Sequence, residues 1–210
     1  MDDPFDRALS DVGAIEALYG PPNAAAVRKD VGLLDEMCAR LIAASPMVMV
    51  ASTSESGRCD VTPRGGPPGF VTVLDERRLA IPDATGNRRL DTLRNIVETG
   101  RAGLLFLIAG RGSTLRVNGR ACVSADPELL AALTPVGKAP RVAIVVEVEE
   151  AYAHCPKAFI RSGLWEPQTW PDAGALPSPA EVSLAHLRDP QVTLEDVERA
   201  QAESIRDRLD

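Results

Sequence analysis

The sequence predicts a mainly β fold with peripheral helices (α+β), a small antiparallel barrel with helical segments at its two ends. Three observations predict it. Between residues 47 and 148, short apolar and partly β-branched runs recur at close spacing, divided by turn residues. The helical patterns between these runs are brief, which favours antiparallel pairing over the crossovers of a parallel sheet. Longer helical periodicity is confined to residues 6–44 and 194–209.

Residues 6–19 set Leu9, Val12, Ile15, Leu18 and Tyr19 at helical spacing, and Gly20-Pro21-Pro22 stops that helix. A second helix is expected over 23–44, with Val27, Val31, Leu34, Met37, Cys38, Leu41 and Ile42 on one stripe. The period then changes. Residues 47–54 and 58–62 form a hairpin around Glu55-Ser56-Gly57, and 70–74 pairs with 78–81 around Asp75-Glu76-Arg77. A helix over 90–99 stops at Gly100, and strands over 102–109 and 114–124 pair with each other. Asp126 and Pro127 open a short helix over 128–133 as N-cap and first-turn proline. The last strand is expected over 141–148. Beyond Trp165, Pro167, Pro171, Pro177 and Pro179 mark an arm without a core of its own, of the kind that packs on another subunit. The expected units are an N-terminal helical layer on the barrel (1–45), the barrel (46–165) and the Pro-rich arm with its helix (166–210).

Composition excludes several classes. The chain has 210 residues and a formal net charge of −7, which argues against a nucleic-acid binder. No apolar run is long enough to span a membrane, and the acidic start lacks the pattern of a signal peptide. Four widely spaced cysteines and two histidines make no zinc pattern, so a cytoplasmic protein with reduced thiols and no metal is expected.

Against this acidic background, residues 58–120 hold eleven arginines, no lysine and six acids. A basic island of that kind suggests a phosphorylated small molecule. Gly86-Asn87-Arg88-Arg89 precedes the 90–99 helix, so its donors meet a helix N-terminus. Arg64 follows Thr62 at a strand end. Arg116 and Asn118, two apart on one strand, share a face. Three segments thus offer donors to one ligand, set against the plainer reading of surface arginines in ordinary ion pairs. The loop 64–69, R-G-G-P-P-G, permits close backbone approach to a flat ligand or serves only as a tight turn. Neither a P-loop nor G-x-G-x-x-G is present.

A further cluster spans 152–165. Pro156 suits a helix start, on which Lys157 and Arg161 are neighbours, as are Ile160 and Leu164. Adjacent His154 and Cys155 seldom place their reactive atoms together, which disfavours a nucleophile and base pair. Polar and cationic contact with a ligand, with Trp165 as a flat surface, suits the cluster better.

Four stretches, V-T-P-R-G-G-P-P-G-F-V, L-A-I-P-D-A-T-G-N-R-R-L-D-T-L-R-N-I, G-L-L-F-L-I-A-G-R-G-S-T-L-R-V-N-G-R-A and H-C-P-K-A-F-I-R-S-G-L-W, resemble the pyridoxamine 5′-phosphate oxidase-like flavoproteins. The resemblance covers roughly residues 25–170 and is strongest to an FMN-dependent, largely bacterial branch. It implies an FMN-binding split β-barrel that forms a homodimer, with FMN sites across the interface. By position, Asp60 to Arg64 correspond to the strand ending in a phosphate-binding basic residue, and Arg88 and Arg89, assisted by Asn87, to the paired basic residues on the phosphate. Val61, Thr62, Pro82 and Asp83 match positions lining the isoalloxazine through backbone contact. Arg116 matches a flavin-contacting position where many relatives have Gln. Lys157, Arg161 and Trp165 would reach the other subunit's site. The C-terminal segment that supplies Arg and His to the vitamin B6 phosphate has no match in 167–210. The implied activity is therefore an FMN-dependent oxidoreductase with an unidentified small-molecule substrate and electron donor. The alternatives are a split barrel binding a deazaflavin coenzyme or haem, and a flavin-binding sensor or carrier without turnover.

Overall fold

The computed structural model describes residues 3–83, 89–133 and 136–208. Among the described residues, seven strands form one antiparallel sheet: β1 (Met47–Thr53), β2 (Cys59–Gly65), β3 (Thr72–Asp75), β4 (Arg78–Asp83), β5 (Arg101–Leu107), β6 (Thr114–Ser124) and β7 (Val142–His154). Their order is β2-β1-β5-β6-β7-β4-β3. Among the described residues β2 and β3 share no ladder, so the barrel is split.

Alternation decides which face is inside. Val48 and Val50 of β1, Leu104 and Phe106 of β5, and Leu115 and Val117 of β6 are buried together with Leu79, Ile81, Ile144 and Val146. Each such side chain contributes roughly 1.5–3 kcal/mol by leaving water. The residues between them face the other way. Met49, Leu105 and Arg116 stand opposite one another on β1, β5 and β6, and Pro63 of β2 and Tyr152 of β7 extend the row. This outer face leaves Met47 and Val61 exposed.

The described residues also form the α-helices α1 (Val12–Tyr19), α2 (Ala24–Val27), α3 (Glu36–Ala44), α4 (Asp91–Thr99), α5 (Pro127–Ala132), α6 (Lys157–Ser162), α7 (Pro179–Leu187) and α8 (Leu194–Arg208). Asp35 caps α3 by accepting from the Cys38 amide at 2.7 Å, and the helix sends Cys38 and Ile42 into the core. On α4, Ile96 enters the same core and Asn95 donates to Ser52 on β1 at 3.0 Å. Gly100, at φ 66°, ends α4 in the left-handed region that glycine tolerates.

Three elements differ from the sequence-based expectation. The helix expected over 23–44 is two helices, because Asp30 turns its carboxylate to the backbone: Oδ1 accepts from Gly32 at 3.1 Å and from Ala151 on β7 at 3.0 Å. Val27 and Val31, expected on a buried stripe, are exposed, and α1 buries no side chain. The last strand runs to His154 rather than to 148, since β6 offers a long partner and a bulge at Asn118/Gly119 resets the register. In the arm, α7 is an added helix, started by Ser178 and Glu181 in a capping box.

Among the described residues, no helix is long and apolar enough to cross a membrane, and no group of three or more His, Cys, Asp or Glu is placed to hold a metal ion.

Candidate functional site

The strand β2 puts Asp60, Thr62 and Arg64 on the inner side, opposite Ser52, Val50 and Val48. All three are tied down. Arg64 donates from Nε to Asp83 Oδ2 at 3.1 Å and from Nη1 to Thr62 Oγ1 at 2.9 Å. Burial pushes the Asp83 carboxyl above its ordinary value, and the Arg64 charge opposes that rise. Asp60 accepts a 2.7 Å hydrogen bond from Thr92 in the first turn of α4. Pro82, beside Asp83 on β4, is buried, while Val61 on β2 is 63% exposed on the outer face.

Next to this corner α4 begins. Leu90 stands at its N-cap and gives no side-chain hydrogen bond to the first turn. Asp11, Asn23, Asp35, Asp126 and Ser178 cap α1, α2, α3, α5 and α7, whereas α6, like α4, starts without a side-chain cap. Arg89 pairs with Asp91 at this end, and Asn87 and Arg88 lie outside the described residues. Between α4 and the β1–β2 hairpin lies an open cavity of about 440 Å³. It presents the carboxylates of Glu55, Asp60, Asp91 and Glu98 against the guanidinium groups of Arg58 and Arg89.

Arg116 and Asn118 do not join this corner within one chain. They sit three strands from β2, about 14 Å away at the usual strand spacing, and they face the outer side. Asn118 donates to Glu150 Oε2 at 2.7 Å. Arg116 donates to the Tyr152 hydroxyl at 3.1 Å, and its guanidinium carbon is 5.6 Å from the tyrosine ring centroid. Among the described residues no carboxylate pairs with Arg116. His154 follows on the same face, its ring 5.2 Å from that of Tyr152. Its Nε2 is the one side-chain polar atom among the described residues that is buried without a hydrogen-bond partner. Burial, with the Arg116 and Lys29 charges adding to it, holds the imidazole below its ordinary value and so neutral at pH 7.

The 152–165 cluster divides between strand and helix. Lys157 and Arg161 are exposed on α6. Trp165 donates from its indole to the Arg111 carbonyl at 3.0 Å and stacks on Phe159 at 5.8 Å, so one face of its ring is already covered. Cys155 is exposed and His154 Nε2 is not hydrogen-bonded to it. The 64–69 loop has structural reasons for two glycines: a Cβ on Gly66 would meet Phe70 and Val136 at 2.8 Å, and Gly69 holds φ 86°. Two relationships were not foreseen, Arg64 with Asp83 and Arg116 with Tyr152. The alternation of Tyr152 and His154 would have shown the second, had the strand been carried past residue 148.

A model of the pyridoxamine 5′-phosphate oxidase family matches residues 34–155, more than half of the chain. The chain belongs to that family. Membership of the pyridoxamine 5′-phosphate oxidase family carries with it the split-barrel fold and a flavin or related cofactor as the kind of ligand that fold takes. The match includes both groups of arginines and stops short of Lys157, Arg161 and Trp165. Among solved structures, this family member is similar to a variant of HupZ from Group A Streptococcus, at 17% identity and a TM-score of 0.45, over 58% of this chain and 99% of that one. It is also similar to a putative pyridoxamine 5′-phosphate oxidase from Lactobacillus delbrueckii, at 21% identity and a TM-score of 0.45, over 59% and 98%. The FAD binding protein from Mycobacterium smegmatis is a third, at 13% identity and a TM-score of 0.41, over 58% and 95%. No curated protein matches the chain.

Proposed function

We propose that this chain is an FMN-dependent oxidoreductase acting on a small molecule, with the FMN phosphate at the start of α4 and the flavin at a homodimer interface. The observation that carries this reading is the start of α4: Leu90 leaves the first-turn N–H groups without a side-chain cap, and Arg89 stands beside them. First-turn N–H groups that Leu90 leaves uncapped, the positive end of the helix dipole and a guanidinium fork make up the donor set a phosphate requires. Arg88 and Asn87 add to it from the sequence. Arg64 acts indirectly, by holding the ends of β2 and β4 together beside the phosphate. Bound flavin would supply hydride chemistry, while the chain supplies binding, orientation and exclusion of water. Val61 and Met47 on the exposed outer face are the apolar surface that a second copy would cover.

The same corner favours FMN over a deazaflavin coenzyme. The longer acidic tail of that coenzyme would need an extended basic groove, whereas the neighbouring cavity carries more carboxylates than arginines. Haem is disfavoured by the burial of His154 Nε2. The test is to record the visible spectrum of the purified protein and to titrate it with FMN, a deazaflavin coenzyme and haem. A flavin spectrum with tight FMN binding is expected; a colourless protein that takes up no FMN would sink the reading. Reduction of the bound FMN by NADH or NADPH, followed by reoxidation by an acceptor, separates an enzyme from a carrier.

A further inference from the structure

Two buried polar side chains of α4 reach the hairpin of β1 and β2. Thr92 donates to Asp60 Oδ2 at 2.7 Å, and Asn95 donates from Nδ2 to Ser52 Oγ at 3.0 Å. The two acceptors are themselves paired, since Ser52 of β1 stands directly opposite Asp60 of β2 in the ladder. Three residues of helix rise about 4.5 Å, close to the ~4.8 Å between neighbouring strands. So α4 sets one polar side chain on each strand as it crosses from β2 to β1. Three residues further on, Glu98 Oε2 accepts from the Glu55 amide in the hairpin turn at 3.1 Å. Thr92, Asn95 and Glu98 thus recur along one side of α4, while Ile96 enters the core.

Ser52, Thr92 and Asn95 are 6%, 4% and 8% exposed. Apolar groups of the same shape would hold the helix on the sheet about as firmly. What an apolar contact lacks is direction. A purely apolar stripe tolerates a slip along the axis, whereas hydrogen bonds to a fixed cross-strand pair select one register. A slip of one turn would carry the first-turn N–H groups about 5.4 Å along the axis, away from any phosphate they had met.

We propose that Asp60 and Ser52, acting through Thr92 and Asn95, are positioning residues. They fix the register of α4 on the hairpin, and thereby the place where the start of α4 meets the FMN phosphate. This rests on the reading of that start as the phosphate site. Asp60 serves the cofactor indirectly, because the oxygen it turns to α4 is held by Thr92.

The test compares FMN with riboflavin, which has no phosphate, in full-length protein by quenching of flavin fluorescence. The phosphorus resonance of bound FMN is read alongside. Thr92→Val removes the hydroxyl at nearly constant shape, and Thr92→Ser keeps it. We expect Thr92→Val to weaken FMN about tenfold and riboflavin by less than about twofold, and to shift the phosphorus resonance. Thr92→Ser should restore FMN affinity. Ser52→Ala with Asn95→Leu exchanges the polar pair for an apolar one, and should repeat the selective loss without lowering the thermal midpoint. Val97→Ala, on the exposed side of α4, should change the binding of neither flavin. Equal losses for FMN and riboflavin would leave these residues a structural role only and overturn the proposal. Unchanged FMN binding in either folded variant would overturn it too. A parent protein that binds FMN no better than riboflavin would instead defeat the phosphate reading, and this inference with it.

Discussion

Arg64 spans the split in the barrel: its Nε, at the end of β2, donates to Asp83 Oδ2 at the end of β4, 3.1 Å away, although the two strands are not neighbours in the sheet. The two side chains are 24% and 13% exposed, so removing one charge strands the other in a poorly hydrated place. Arg64→Met is expected to cost about 2 kcal/mol at pH 7 and less near pH 4. Burial raises the Asp83 pKa in the folded chain above its unfolded value. Its stabilising contribution is then fully present below about pH 4, the unfolded value, and is lost as pH rises through the folded one. Without Arg64 the folded value climbs further and the loss steepens. Adding Asp83→Asn should recover most of it. Urea unfolding at pH 4 and pH 7 measures this, and equal losses at both would assign the effect to packing of the arginine stem.

The register of the outer face depends on one glycine. At the bulge in β6, a Cβ on Gly119 would lie 1.9 Å from the Glu147 carbonyl oxygen, which is backbone and cannot swing aside. Gly119→Ala is expected to cost roughly 3 kcal/mol or more, by forcing the bulge to move or the ladder to open. Gly57→Ala is the contrast. Its Cβ would meet nothing within 4 Å, and only the positive φ of 83° is strained, a cost of about 1 kcal/mol. Thermal melts of the two variants test the difference; similar losses would mean that the bulge tolerates a side chain.

Most of the sheet was legible in the sequence because burial on one face imposes a period of two. β1 and β6 alternate cleanly, and their ends fall within a residue of the expected ones. The end of β7 was not legible. Glu147, Glu149 and Glu150 interrupt the pattern, and what carries the strand onward is the partner offered by β6 together with the Gly119 bulge, neither of which is local. The 23–44 helix failed for a similar reason: its apolar stripe is real, but the Asp30 carboxylate finds the Ala151 amide 121 positions away. At the site, residue types and neighbours in sequence marked the arginines of residues 58–120 as an unusual group. Faces did not follow from that grouping, because Arg64 and Arg116 sit on strands whose registers to β1 and β5 put them on opposite sides.

The cap of α3 predicts opposite behaviour at the two ends of the pH scale. Hydrogen bonds from the helix start, chiefly from Cys38, hold the Asp35 carboxyl below its ordinary value. The cap's contribution is present above the unfolded value near pH 4 and is lost as pH falls through the folded one. Asp35→Ala should cost about 1 kcal/mol at pH 7 and progressively less in acid. Burial, with Asp35 adding to it, pushes the Cys38 thiol up to about 11. Stability from the neutral thiol is complete below its ordinary value near 9 and declines as pH rises towards 11. Cys38→Ala should be weaker at pH 7 through the cavity it leaves, yet lack that alkaline decline. Denaturant midpoints from pH 3 to pH 11 check both, and an alkaline slope unchanged by Cys38→Ala would place the titrating group elsewhere.

The uncapped start of α4 separates a phosphate site from a helix that merely lacks a good cap. Arg88→Ala with Arg89→Ala should weaken FMN binding about a hundredfold, the loss of two charge-assisted contacts, while riboflavin, which has no phosphate, binds nearly as before. Leu90→Asp goes further. A carboxylate at the N-cap would satisfy the same first-turn N–H groups, so the ligand-free protein should gain about 1 kcal/mol. That carboxylate would also occupy and repel, so FMN affinity should fall. Greater stability together with weaker FMN binding is the signature expected if phosphate and cap compete for the same donors. A Leu90→Asp protein that is more stable and binds FMN as tightly as the parent would place the phosphate away from α4.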